Sequence, residues 1–380
     1  MKTIIALFSF LLSSVVLAED TATLPQGVFR ARLKPIYASK ITTQFGEDRK
    51  PVGLLYKFEK ELTIATAAQL NPQLAGAMNL FKIPSLGKYE PSLEVSTLVL
   101  ASALEYGLTE NITMGAIIPM ITANTAIDLK FNKSKAAQNH PAFKNRNIIE
   151  DTEQVALSKG YRPFENWDKT GLGDIELGLK YRFLNTGTWA MATKSGVRLP
   201  TGRTEDPHHL TDIAFGDGQY DAGTSLLIDY RGIPNLLLST LTKYTVQFPD
   251  KQILRVPDEE ELLTRNIENI RRDLGDMLDA ALYTEYTLFK LFNVNASTSF
   301  FSKQKDNYKS ALGYYTAGLE KNTNQMKWTA DMGIGFTTIP WFKEGAFSFP
   351  MDIGLNVQLP ITGKNIAKAT TTNLEYKLYF

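Results

Sequence analysis

The chain ends Leu374-Glu375-Tyr376-Lys377-Leu378-Tyr379-Phe380. Counting back by twos from Phe380 gives Leu378, Tyr376 and Leu374, while Tyr379, Lys377, Glu375 and Asn373 fall between them. One face is apolar and the other mostly polar, as in a strand with lipid on one side and water on the other. A terminal strand that closes on an aromatic residue resembles the assembly signal of bacterial outer-membrane β-barrels. The four residues Leu374, Tyr376, Leu378 and Phe380 are read as that signal, with the barrel-assembly machinery and outer-membrane lipid as the expected partners.

The other end agrees. Met1-Lys2 is followed by an apolar run from Ile4 to Val16, then Val16-Leu17-Ala18 before Glu19-Asp20. This is the pattern of a secretory signal peptide over 1–18, cleaved near Ala18. The run is shorter than the ~20 residues a spanning helix needs. Removing 18 of the 380 residues leaves 362 for the barrel, 19–380. The expected location is the outer membrane of a Gram-negative bacterium.

Between the ends, period-two alternation recurs. Ile175, Leu177, Leu179, Tyr181 and Phe183 oppose Asp174, Glu176, Lys180 and Arg182. The chain turns at Asn185-Thr186-Gly187 and returns with Trp189, Met191 and Val197 against Lys194 and Arg198. Similar patterns give twelve strands: 27–45, 92–107, 111–129, 171–184, 188–202, 216–230, 235–249, 275–290, 293–304, 326–339, 346–360 and 369–380. Short and long links alternate between them, as in outer-membrane barrels with short periplasmic turns and long external loops. The long links 46–91 and 130–170 are expected to be loops or a partial plug. Adding 53–66 and 309–320 would give fourteen strands. Segment 61–81 reads alternatively as helical, with Pro72 breaking it. Segment 258–272 reads as a loop helix capped by Asp258, with Arg271 and Arg272 in its last turn.

Three stretches carry a family resemblance. They are Thr170-Gly-Leu-Gly-Asp-Ile-Glu-Leu-Gly-Leu-Lys-Tyr-Arg-Phe183, Gly196-Val-Arg-Leu-Pro-Thr-Gly-Arg203 and Phe215-Gly-Asp-Gly-Gln-Tyr-Asp-Ala-Gly223. With Glu105 to Asn111 and Gly115 to Pro119, they resemble the bacterial outer-membrane proteins linked to the meta-pathway of phenol degradation. The resemblance implies a transporter-like barrel that takes up aromatic or hydrophobic compounds.

Composition narrows the chemistry. There is no cysteine, so neither disulfides nor thiolate metal sites arise. The balance of 41 basic to 40 acidic residues gives no footprint for nucleic acid. No cofactor motif or metal-ligand spacing is present. The inward faces should carry Arg30, Arg32, Lys34, Lys180, Arg182, Lys194, Arg198, Lys243, Lys327 and Lys377. Against them stand Asp174, Glu176, Asp221, Asp229, Asp279, Glu285, Asp331, Asp352 and Glu375. Such a lumen is wetted or cross-linked by ion pairs, with a basic wall of Arg30, Arg32, Lys34, Arg182 and Arg198 facing an acidic one. The expected function is a passive channel for small-molecule solutes. A sealed structural or surface-binding barrel is the second reading. An outer-membrane hydrolase using His208 or His209 is the third, although Gly-x-Ser-x-Gly is absent and the histidine pair reads as solvated loop surface.

Overall fold

The computed structural model describes residues 19–256 and 263–380. Twelve antiparallel strands form a closed barrel: β1 (Phe29–Ile41), β2 (Ser85–Thr109), β3 (Ile112–Lys133), β4 (Ile175–Asn185), β5 (Trp189–Leu199) and β6 (Asp221–Ile233), then β7 (Leu236–Gln247), β8 (Met277–Leu288), β9 (Phe292–Lys303), β10 (Gln325–Thr337), β11 (Met351–Lys364) and β12 (Thr371–Tyr379). Each pairs with its chain neighbours, and β12 pairs with β1. At that seam the Phe29 and Phe380 backbones exchange both hydrogen bonds, at 2.8 and 3.0 Å, and their rings stack 5.7 Å apart.

The outward faces are apolar on every strand. Leu33, Leu98, Met114, Leu179, Val197, Leu226, Tyr244, Leu282, Val294, Met332, Leu355 and Leu378 are all exposed. Water would penalise a continuous band of this kind, whereas hydrocarbon accepts it. Aromatic pairs edge the band at the end with short turns: Phe29 with Tyr106, Trp189 with Tyr230, and Phe292 with Phe336. Leu374, Tyr376, Leu378 and Phe380 belong to this outer surface, with Tyr376, Leu378 and Phe380 clearly exposed.

Four expectations need correction. The fourteen-strand alternative fails, because 53–66 and 309–320 supply only short strands at Glu61–Thr63 and Asn307–Lys309, with helical turns beside them. The eleventh strand begins at Met351 rather than 346. A short helix, Ile339–Lys343, with Pro340 in its first turn, lengthens the link, so Phe347 and Phe349 lie ahead of the strand and stay partly or fully exposed. The helix expected over 258–272 is a strand at Ile267–Asp273, paired with Asp250–Arg255; residues 257–262 lie outside the described residues, as does the expected signal peptide, 1–18. Alternate burial of Glu268, Ile270 and Arg272 outweighs the dipole signals there. Finally, β2 and β3 run past the expected 92–107 and 111–129, to Ser85 and Lys133, beyond the last residues that pair with their neighbours in the barrel wall, Val95 and Thr125.

Segment 61–81 does form two helices, Ile64–Leu70 and Pro72–Leu80, broken at Pro72. Asn71 caps the second by accepting from Gln73 N and Leu74 N. Both pack with Phe143 and Ile148 on the protruding β2–β3 hairpin. The loop segment before them sends Phe45, Leu54 and Leu55 into a different core, inside the outer half of the barrel.

That inner core is the main feature absent from the sequence reading. Ile36, Val95, Val99, Ile121, Met277 and Phe301 point inward and pack with Ile213, Phe215 and Ile366 from the loops. The fourth strand position is interrupted here. Trp167–Leu172 and β4 both pair with β3, and the break lies at Gly173-Asp174. A Cβ on Gly173 would lie 2.9 Å from both Ile121 and Pro119 side chains, so glycine is required where the strand kinks over them.

Phe215 is 1% exposed and contacts this kink. Phe215→Ala should lower stability by about 3–5 kcal/mol, the cost of emptying a large aromatic site. Denaturant unfolding of the vesicle-embedded protein reads this out, and an unchanged midpoint would mean the core tolerates the cavity.

Candidate functional site

Below the apolar core the interior is charged. Arg30 meets Glu105 on β2 at 2.6 Å, and Arg32 meets Glu375 on β12 at 3.7 Å. Arg198 reaches Glu176 on β4 at 3.0 Å and Asp221 on β6 at 3.1 Å. Each pair joins adjacent strands, so the charges interleave around the wall. The expected basic wall facing an acidic one is therefore not formed, since a charge taken out of water is best matched by its nearest neighbour. Arg182 departs further: its guanidinium donates to Glu110 O and Asn111 Oδ1 at the short turn.

The remaining candidates have identifiable neighbours. Asp174 is buried and accepts from the Gly202 and Asp217 amides at 2.8 and 3.3 Å, fixing the strand kink to the third external loop. Lys34 and Asp279 are buried on the inner face. Glu285 accepts from Tyr283 Oη at 2.6 Å, and Asp331 from Gln358 Nε2 at 2.9 Å.

Lys180 and Lys194 have a partner that strand parity does not reveal. Glu19 lies inside the barrel, 2.6 Å from Lys194 and 3.8 Å from Lys180. Lys180 also donates to Asp20 O at 2.9 Å. Thr21 donates through N and Oγ1 to Asp229 at 3.1 and 2.7 Å, and Asp229 also receives Ser239 and Arg231. Leu24 N donates to Thr113 Oγ1 at 2.8 Å. Segment 19–24 is thus strapped across the lumen. Gly107 lets the strap enter, because a Cβ there would sit 2.0 Å from Pro25 O. Nothing in residues 19–24 marks them as lumenal; Glu105, also missing from the expected inward charges, had a usable signal in the inward parity of its strand.

Three cavities follow one another along the interior. A mouth cavity of about 100 Å³ lies among the external loops, with Phe45, Tyr56, Phe215, Asp174 and Arg198 in its wall. A middle cavity of about 130 Å³ shares Arg198 with it and is also lined by Glu176, Lys243 and Glu105. A cavity of about 310 Å³ towards the short turns shares Glu19, Arg30, Arg32 and Lys180 with the middle one. Arg198 and the strap are therefore the two partitions. A separate, almost wholly apolar cavity of about 110 Å³ lies on the inward side of the β2–β3 extension, among Leu55, Leu93, Leu129, Phe164 and Leu263.

The external loops fasten the mouth. Glu268 accepts from Ser310 Oγ at 2.5 Å and Ala311 N at 2.6 Å. The Ser310 bond, followed by the amides, holds its carboxyl below the usual carboxylate range. A lowered value means the tether is present at neutral pH and is lost as pH falls through that value. All three histidines have hydrogen-bond partners. His208 Nδ1 lies 2.8 Å from Gly160 O, and His140 Nδ1 accepts from Ala142 N. His209 is buried, contrary to a solvated loop surface, with Nδ1 3.1 Å from Thr211 Oγ1. Among the described residues no group of three or more His, Cys, Asp or Glu could hold a metal.

No family model matches the chain, and no curated protein does. Among solved structures, an outer membrane channel from Pseudomonas putida F1 superposes with a TM-score of 0.57 at 11% identity, covering 96% of this chain and 100% of that one. That likeness shows a shared outer-membrane-type barrel fold. The CymD monoaromatic hydrocarbon channel aligns at a TM-score of 0.37, with 10% identity over 94% of this chain and 89% of that one. A FadL homologue from Pseudomonas aeruginosa aligns at 0.36, with 9% identity over 93% and 89%. Both are too loose to bear on function.

Two outcomes are expected. Lys194→Ala combined with Asp229→Asn should unseat the strap. A spin label on Ala22→Cys, unique because the chain has no cysteine, would change from immobile to mobile; an unchanged spectrum would show the strap is held by other contacts. Glu268→Gln should raise hydrogen exchange at 310–314 at pH 7 to the level the parent protein reaches only in acid.

Proposed function

We propose that the protein is a passive outer-membrane channel for small molecules, with aromatic and hydrophobic compounds among its solutes. The observation that carries this reading is the series of three cavities inside a closed barrel, the first two sharing Arg198 in their walls and the last two sharing Glu19 and Ala22 of the strap. Their volumes are of the order of the ~150 Å³ engineered cavity that accepts benzene. Both partitions are side-chain and segment contacts, not sheet, so a solute can pass once they shift without breaking the wall. The lipid-facing band supports residence in the outer membrane. The terminal strand supports delivery by the barrel-assembly machinery, after cleavage near Ala18. The lumen-lining role of Arg30, Arg32, Lys34, Asp174, Glu176, Lys180, Lys194, Arg198, Asp221, Asp279, Glu285 and Asp331 is part of this proposal.

Aromatic solutes are favoured by the resemblance of 170–223 to the phenol meta-pathway family and by the aromatic wall of the mouth. The second reading, a barrel with a sealed lumen, draws on the same strap and ion pairs if they never move. An enzymatic role finds less support, because the histidines of the third loop are engaged with backbone and Thr211.

Single-channel recording of the refolded protein in a planar bilayer separates these readings. Discrete steps are expected, rising at least twofold in conductance for Arg198→Ala or for a chain lacking 19–24. A folded barrel silent in all three forms would favour the sealed reading.

A further inference from the structure

We propose that the mouth cavity is a capture site for small aromatic carboxylates, with Lys57 and Lys321 taking the carboxylate and Phe45, Tyr56 and Phe215 holding the ring. This deepens the channel reading, on which it rests for its place in transport.

The argument begins with a charge count. The cavity wall holds five cations, Lys57, Arg198, Arg272, Lys303 and Lys321, and three carboxylates, Asp174, Asp217 and Asp306. Three of the cations are already matched: Arg198 by Glu176 and Asp221, Arg272 by Asp250 at 2.6 Å, and Lys303 by Asp306. Lys57 and Lys321 make no ion pair among the described residues. They also act on each other. The Lys57 ammonium is held below the usual lysine range, by burial first and by the Lys321 charge second, with Glu47 opposing this less strongly. Two ammonium groups facing one space gain when an anion enters it, because one negative charge relieves the repulsion and pairs with both.

The rest of the wall selects the body of the ligand. Phe45 and Phe215 belong to the inner apolar core and also line the cavity, while Lys57 lies 5.8 Å from the Tyr56 ring centroid. A flat apolar ring fits these surfaces. A neutral hydrocarbon would leave the lysine pair unused. A polyanion would meet the carboxylates of Asp174 and Asp217 deeper in the cavity. Beyond Arg198 the middle cavity keeps the same sign, with six cations to four carboxylates in its wall, so an anion leaving the mouth inward enters a space that still favours it.

The test uses the full refolded protein with three probes of one shape: benzoate, benzyl alcohol and benzylamine. Binding is read by ligand-observed NMR in lipid nanodiscs, and current modulation by bilayer recording with the probe on the loop side. Benzoate should bind at least tenfold more tightly than benzyl alcohol, and benzylamine weakest. Lys57→Gln with Lys321→Gln, both exposed positions, should remove that preference, while Lys57→Arg with Lys321→Arg should keep it. Benzoate binding no better than benzyl alcohol, or binding indifferent to the double glutamine variant, overturns the capture site. Lysine-dependent benzoate binding by a barrel that passes no current leaves the site standing and overturns the channel reading instead.

Discussion

A backbone in hydrocarbon has no water to bond to, so every N–H and C=O of the sheet must be paired within it. The seam between β1 and β12 meets that constraint. There the backbones of Phe29 and Phe380 exchange hydrogen bonds and the last residue of the chain meets the start of the first strand. Once the seam closes, parity assigns every side chain on twelve strands to lipid or to the interior. The apolar band, the aromatic rim and the inward charges all follow from that closure.

Closure also leaves an interior to be filled, and it is filled in two different ways. Toward the outside, inward apolar residues of β1 to β3 meet loop residues such as Phe215 and Ile366 to make a core. Toward the short turns, ion pairs and the 19–24 strap occupy the space. A polar lumen from end to end was the simpler expectation. It failed because the long loops bring apolar groups that need burial, and Ile36, Val95 and Ile121 offer them a matching surface.

One rule runs through the ion pairs that join strands. In a poorly solvated space an unpaired charge is costly, so Arg30, Arg32 and Arg198 take carboxylates on adjacent strands, and Lys180 and Lys194 take Glu19 of the strap. The pairs interleave, and Arg198 comes to lie between two cavities. The pair in the mouth departs from this rule: Lys57 and Lys321 face a common space without a carboxylate of their own.

The barrel, its twelve strands, the alternation of short and long links and the inward or outward face of most residues can all be read along the chain. Those features are local, set by a side-chain period of two and by turn residues such as Asn185 and Gly187. Even Pro72 was readable, because a proline inside a helix removes a hydrogen bond and clashes with the preceding turn, whereas at the start of a new helix it does neither. The choice of charge and hydrogen-bond partners depends on the assembled fold. Glu19 meets Lys194 across 175 positions of sequence, and Thr21 meets Asp229 across 208; no periodicity spans such distances. The strand at Ile267–Asp273 was hidden for the same reason, since its state depends on the partner Asp250–Arg255 rather than on its own helix-like charges. The interrupted fourth strand position likewise needed the fold, because Gly173 is required by side chains of another strand.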